Sequence, residues 1–386
     1  MALTLMERAS DLRDVIGSVV ELRDAVGVLS VTIGIEPGAV SGGKPAWEIA
    51  LENDLTQLRH GGSLGPASKK RLEETSARIA ELLDPSSTGR GRALYVALES
   101  GTSREVTLQR ALPTGARVGP AAHVLPLLEA LDEGERAGLI MASRDAIALL
   151  ESELERVSEV DRIELEPWVG DWWPEMKGPA RANPLRGQQV VSQRDRYSRR
   201  IAAAYRHTLD DASVALGALA RERCWTRAVL AGDPRTIGAL NEVLQNSGLT
   251  TITIGANLEG LRTEEALGRL EAALETLAAE TSLERVRLIQ EEAAAGARGA
   301  CGLARVLAVL NEARVASLLI DPSRTYAGLV EPGEILRTAD RAEGAVDLTD
   351  LIVSRALSTG AGVIPVHGAA AEHLGSCDGI AAQLRW

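Results

Sequence analysis

Arg227-Ala228-Val229-Leu230-Ala231 and Thr250-Thr251-Ile252-Thr253-Ile254 are two short runs of aliphatic and β-branched residues with a helical stretch between them. Strand, helix, strand at this spacing is the α/β alternation of a mostly parallel sheet, because parallel neighbours need a crossover connection. Upstream, Ala137-Gly138-Leu139-Ile140-Met141-Ala142 and Ala146-Ile147-Ala148-Leu149-Leu150 read as strands joined by the hairpin turn Ser143-Arg144-Asp145. Downstream, the helix carrying Leu267, Leu270, Leu274 and Leu277 leads towards a further unit.

Outside this middle region the alternation continues. Residues up to about 130 read as helix, strand, helix, helix, strand, with Val28–Ile35 and Arg92–Leu98 as the strands. From near Ser282 the pattern is helix, strand at Val315–Ile320, helix, and strand at Gly362–Val366. A chain of 386 residues is too long for one ordinary core. The expected domains are 1–132, 133–280 and 281–386.

Composition narrows the class. With 45% hydrophobic residues and no Phe, the cores must be built from Leu, Val, Ile and Ala with some of the six Trp and four Tyr. Cys224, Cys301 and Cys377 lie far apart and are odd in number, so no disulfide framework or metal-ligand spacing is legible, and a reducing, cytoplasmic setting is expected. No basic n-region precedes an apolar run, and no stretch approaches the ~18 apolar residues of a membrane span. A net charge of −12 excludes a protein coating nucleic acid with its whole surface. Any RNA contact should be local, and Lys177 to Arg206 holds eight basic residues against the single acid Asp195.

Familiar catalytic signatures are absent: no P-loop, no Gly-x-Gly-x-x-Gly after a strand, no His-Glu-x-x-His and no nucleophile elbow. His60, His123, His207, His367 and His373 show no ligand spacing and read as surface or satisfied core residues; no metal or cofactor is expected. Asp145 and Glu151 to Glu153 read as a solvated acidic face. His60-Gly61-Gly62-Ser63-Leu64-Gly65-Pro66 is a turn-forming cluster, and Lys69, Lys70 and Arg71 follow it at a helix start, against the dipole preference. Pro167 to Val190, with three tryptophans, four prolines and three glycines, cannot be regular structure. Ser192 to Arg223 then reads as one helix, with Tyr197, Ile201 and Tyr205 on one face and Arg196 and Arg200 on another. Just before it, Gly187-Gln188-Gln189 offers neutral donors and acceptors at a loop tip. Gln193, Arg194, Arg196, Arg199 and Arg200 stand behind that tip as candidate phosphate contacts.

Two terminal segments carry a resemblance. Gly375-Ser376-Cys377-Asp378-Gly379-Ile380-Ala381-Ala382-Gln383-Leu384-Arg385-Trp386 is similar to the Gly-Gly-Ile-x-x-x-Leu-Arg-Tyr ending of archaeo-eukaryotic peptide release factors and Pelota. Gly299-Ala300-Cys301-Gly302-Leu303, then Val306–Leu310 and Val315–Asp321, resemble the opening of the same domain. Ser192 to Arg200 resembles the helix after the catalytic loop of bacterial members, and Gly187-Gln188 sits near the place of their Gly-Gly-Gln. The resemblance implies a three-domain α/β release-factor-like architecture: an N-terminal decoding-centre domain, an RNase H-like middle domain and a ribosomal-protein-like C-terminal domain. It also implies binding in the A site of the 70S ribosome against rRNA and P-site tRNA, with elongation factor Tu or another translational GTPase as partner. The loop from Gly65 to Arg71, which holds Lys69, Lys70 and Arg71, stands where stop-codon readers carry Asn-Ile-Lys-Ser, a motif missing here. Only one glycine, Gly187, precedes Gln188. Two functions are therefore expected to compete: a codon-independent hibernation factor resembling Balon, and a rescue-type peptidyl-tRNA hydrolase with Gly187, Gln188 and Gln189 as its catalytic loop.

Overall fold

The computed structural model describes residues 5–6, 8–35, 45–60, 65–82, 89–143, 145–165, 193–255, 263–339 and 344–386. It divides into two compact units: residues 1–135, 153–156 and 278–386 form one, residues 136–152 and 157–277 the other.

The first unit opens with α1 (Ala9–Val20), β1 (Val28–Gly34), α2 (Ala46–His60), α3 (Pro66–Leu82), β2 (Gly91–Ala97), β3 (Ser103–Leu108), β4 (Gly115–Gly119) and α4 (Leu125–Glu133). Its four strands form an antiparallel sheet in the order β3-β2-β1-β4. Alternation along the strands sends side chains to opposite faces. Leu94 and Val96 of β2 join Leu29, Val31 and Ile33 of β1 and pack on Leu51, Leu55, Leu72 and Ile79 of α2 and α3. Ala93 and Tyr95 point the other way, into a core shared with α1 and α4. Burial on both faces explains why β2 has no polar alternation.

The second unit holds β5 (Ala137–Ala142), β6 (Ala146–Glu153), β7 (Arg156–Glu164), α5 (Gln193–Glu222), β8 (Arg227–Gly232), α6 (Pro234–Asn246), β9 (Thr250–Ile254) and the start of α7 (Thr263–Ala294). Its five-stranded sheet runs β7-β6-β5-β8-β9. β5, β8 and β9 are parallel, and the expected hairpin β5-β6 adds an antiparallel pair, so the sheet is mixed. Ser143 closes the hairpin, its N–H donating to Ala146 O at 2.8 Å. α6 starts where Asp233 accepts N–H bonds from Arg235 and Thr236 and Pro234 needs no donor. Apolar residues of α5 and α6 cover one face; Ala266, Leu270 and Leu274 of α7 cover the other.

α7 is one helix of 32 residues, where the sequence suggested a separate helix from near Ser282. Its repeating leucines and Val286 and Ile289 continue one helical pattern, and no glycine or proline breaks it after Gly268. Beyond it the first unit resumes with β10 (Gly299–Cys301), α8 (Leu303–Asn311), β11 (Val315–Ile320), β12 (Ala327–Glu331), β13 (Ile335–Thr338), β14 (Val346–Asp347), α9 (Thr349–Ser358), β15 (Gly362–Pro365), α10 (Gly368–Leu374) and β16 (Ile380–Leu384). The sheet β10-β16-β11-β15 turns Leu318, Ile320, Ile380 and Ala382 into the core that also holds α1, α4 and β2. Leu319 and Ala381 face Val286 and Ile289 of α7. Each fully buried leucine or isoleucine here is worth roughly 1.5–3 kcal/mol.

The cysteines depart from expectation. Cys301 and Cys377 form a disulfide, and Cys224 is free and exposed. The pair was illegible because 76 residues separate its members, which only the pairing of β10 with β16 brings together.

Candidate functional site

The expected catalytic residues Gly187, Gln188 and Gln189 lie outside the described residues, as do Gly61 to Leu64 of the turn-forming cluster. What is described is how that stretch is tethered. At its near end Leu165 is fully buried, its N–H donating to Asp145 O at 2.7 Å. At its far end α5 begins at Gln193, so Gln193, Arg194, Arg196, Arg199 and Arg200 occupy consecutive turns at the start of a helix 30 residues long. Such a helix spans about 45 Å.

α5 is fixed by its later turns. Leu209, Ala212, Leu216 and Ala220 are buried at helical spacing against β5, β8 and α6. Tyr205 reaches Thr236 at the start of α6, hydroxyl to hydroxyl at 2.7 Å. Arg206, the last residue of the basic run, is exposed. The helix predicted from Ser192 to Arg223 is present as Gln193–Glu222.

In the first unit, Lys69, Lys70 and Arg71 lie in the opening turns of α3, which starts at Pro66; the stretch read as a loop from Gly65 is helical from its second residue. Proline suits a first helical position because its missing N–H has no partner to lose there. Lys69 is half-buried, while Lys70 and Arg71 are exposed, and Arg71 pairs with Glu74 at 2.9 Å. The cation cluster at the helix start is as expected. It offers two exposed charges to a polyanion, one of them already partnered.

The acidic face does not survive as read. Glu151 is buried and accepts the indole N–H of Trp225 at 2.8 Å, with Arg223 3.8 Å away. Glu153 accepts the backbone N–H of Ala9. Both are structural anchors, invisible in sequence because their donors lie more than 70 residues away.

Sequence reading did not single out a cluster around α4. His123 sets Nδ1 2.6 Å from Asp350 Oδ1, which makes Nδ1 the protonated nitrogen facing a carboxylate. Glu129 lies 3.7 Å from Nε2 of His367, and burial pushes its carboxyl up despite the neighbouring His367, His123 and Arg110. Among the described residues no three His, Cys, Asp or Glu side chains are grouped to hold a metal ion. These pairs are partners of one another, and His123 is a half-buried histidine paired with Asp350.

Residues 123–259, from the turn before α4 to just beyond β9, are similar in sequence to a family of bacterial release-factor-like proteins. The matching family is Bacterial archaeo-eukaryotic release factor family 10, and the match covers about a third of the chain. Among solved structures, the archaeal translation termination factor aRF1 is similar at 17% identity over 99% of this chain and 99% of that chain, with a TM-score of 0.26. Ribosome-bound archaeal Pelota with ABCE1 is similar at 12% identity over 98% and 95%, TM-score 0.41. Dom34 of S. cerevisiae, a translation termination-like factor involved in RNA quality control and interacting with Hbs1, is similar at 9% identity over 77% and 80%, TM-score 0.36. At TM-scores below 0.5 these likenesses give no residue-by-residue correspondence. No curated protein matches the chain.

Proposed function

We propose that the protein is a ribosome A-site-binding translation factor that engages without reading a codon and acts as a hibernation factor. The observation that carries this reading is the basic start of α5. Arg194, Arg196, Arg199 and Arg200 fall on the first two turns of a 30-residue helix, in a segment similar to the release factor family, within a chain of net charge −12. Local cations on an acidic protein suit one defined rRNA contact and oppose general coating. The codon-reading motif missing from Gly65 to Arg71 and the single glycine ahead of Gln188 favour occupancy over chemistry. Elongation factor Tu, or another translational GTPase, is the partner this reading calls for.

The glutamines of Gly187-Gln188-Gln189 support a second reading, peptidyl-tRNA hydrolysis in ribosome rescue. Gly187 would allow backbone approach, and Gln188 or Gln189 would orient water at the ester. Co-sedimentation with vacant and with peptidyl-tRNA-loaded 70S ribosomes, scoring peptide release in the same tubes, separates the two. Binding to both without release is the expected result. Release abolished by Gln188→Ala would establish the hydrolase, and binding to neither would overturn the ribosomal assignment.

A further inference from the structure

We propose that Cys301 and Cys377 form a reversible oxidation site, a dithiol that a peroxide converts to the disulfide and that thereby locks the C-terminal sheet. Cys301 ends β10, an edge strand of that sheet, and is partly exposed. It stands one residue ahead of Gly302, the N-cap of α8, at the end of the helix whose dipole favours a thiolate. Cys377 ends the single 3₁₀ turn between α10 and β16 and is 2% exposed. It is buried with Val286, Ile289 and Leu374, and the Gln290 side-chain amide donates to its sulfur at 3.5 Å as well as to Ser376 Oγ and His373 O. One cysteine is partly exposed, packed at the margin of the cluster that buries the other, with the two Cα atoms 5.0 Å apart.

The segments do not depend on the bond for their positions. β10 and β16 pair from Gly299↔Gln383 to Cys301↔Ala381. Gly302 donates its N–H to Ile380 O, Leu303 donates to the Asp378 carboxylate, and the Tyr326 hydroxyl donates to Gly379 O at 2.6 Å. Reduction therefore removes a lock and leaves the sheet assembled, which is what a reversible couple requires.

The chemistry balances with hydrogen peroxide as the oxidant. The Cys301 thiolate attacks one peroxide oxygen; an S–O bond forms as the O–O bond breaks, and with a proton the leaving oxygen departs as water. The Cys377 sulfur then attacks the resulting sulfenic acid and gives up its proton. An S–S bond forms, the S–O bond breaks and a second water leaves.

The test uses the full chain carrying Cys224→Ser, which removes the exposed free thiol. After reduction with dithiothreitol and its removal, hydrogen peroxide is added, and alkylation and intact mass are read. Expected are the loss of two hydrogens and of both alkylation sites, recovery of both with dithiothreitol under native conditions, and a cooperative melt several degrees lower in the reduced form. With Cys377→Ser added, dimedone should label Cys301; with Cys301→Ser instead, Cys377 should stay unlabelled. A bond that resists dithiothreitol until the chain is unfolded would make the disulfide a fixed element. Failure to form it with peroxide, or dimedone on Cys377 instead of Cys301, would equally overturn the proposal. None of these readouts depends on ribosome binding.

Discussion

His123 and Asp350 face each other across 2.6 Å, a carboxylate–imidazole pair joining the turn before α4 to the first turn of α9. Their side chains are 19% and 11% exposed. The rest of His123 is held as well: its backbone N–H donates to Ser30 Oγ and its carbonyl accepts the buried Tyr95 hydroxyl. Asp350→Ala would strand the imidazole N–H in a largely buried place, a loss of about 1–3 kcal/mol. Urea unfolding should show this as a lower midpoint at unchanged slope; a variant matching the parent would mean the pair contributes nothing net.

Gly138 in β5 lies directly under Trp225. A Cβ there would sit 2.4 Å from the indole ring, which is itself pinned through its N–H to buried Glu151. Gly138→Ala should displace the indole and cost about 1–3 kcal/mol, as overpacking does. Glu151→Gln keeps an acceptor and should cost less. Chemical denaturation of both variants checks the order, and equal losses would contradict it.

Asp24 ties two turns together by accepting N–H bonds from Val26, Gly27, Glu99 and Ser100. Burial pushes its carboxyl up, but these four donors outweigh that and hold it below the usual range. A carboxyl depressed in the folded state adds stability that is complete above the unfolded value, about 3.9, and is lost as pH falls through the folded one. Asp24→Ala should therefore lower the melting temperature near neutral pH, and the deficit should shrink as the acid range is entered. A deficit that does not change with pH would point to lost packing instead.

Charge reversal at Arg196 and Arg199 should weaken sedimentation with 70S ribosomes and flatten its salt dependence, because each lost phosphate contact removes released counterions from the binding equilibrium. The same two changes at Lys70 and Arg71 test the second basic cluster. Affinity and salt slope both unmoved by the α5 pair would place the ribosomal interface elsewhere.

Strands β1, β2, β5, β8, β9, β11 and β15, and helix α5, were all legible because each carries a short aliphatic run or a helical repeat that no neighbour contradicts. The small sheet β13-β12-β14 was not. β12 is only half-buried, β13 has four residues and β14 two, too few for a period to show. The candidate site was legible only as composition: the arginines of 194–200 stand out against an acidic chain, whereas the anchoring of α5 through Leu209, Leu216 and Tyr205 depends on partners in other elements.

Local chemistry determined the elements: Asp233-Pro234 starts a helix, and alternating aliphatics make strands wherever the chain goes. It also placed the C-terminal motif and the basic run, since both are contiguous in sequence. Only the tertiary structure decided the long-range pairings. Cys301 with Cys377, His123 with Asp350 and Glu151 with Trp225 are each 74 or more residues apart. A carboxylate or a thiol has the same local pattern whether it meets water or a partner, so its role is set when sheet pairing and core burial bring the second residue to it.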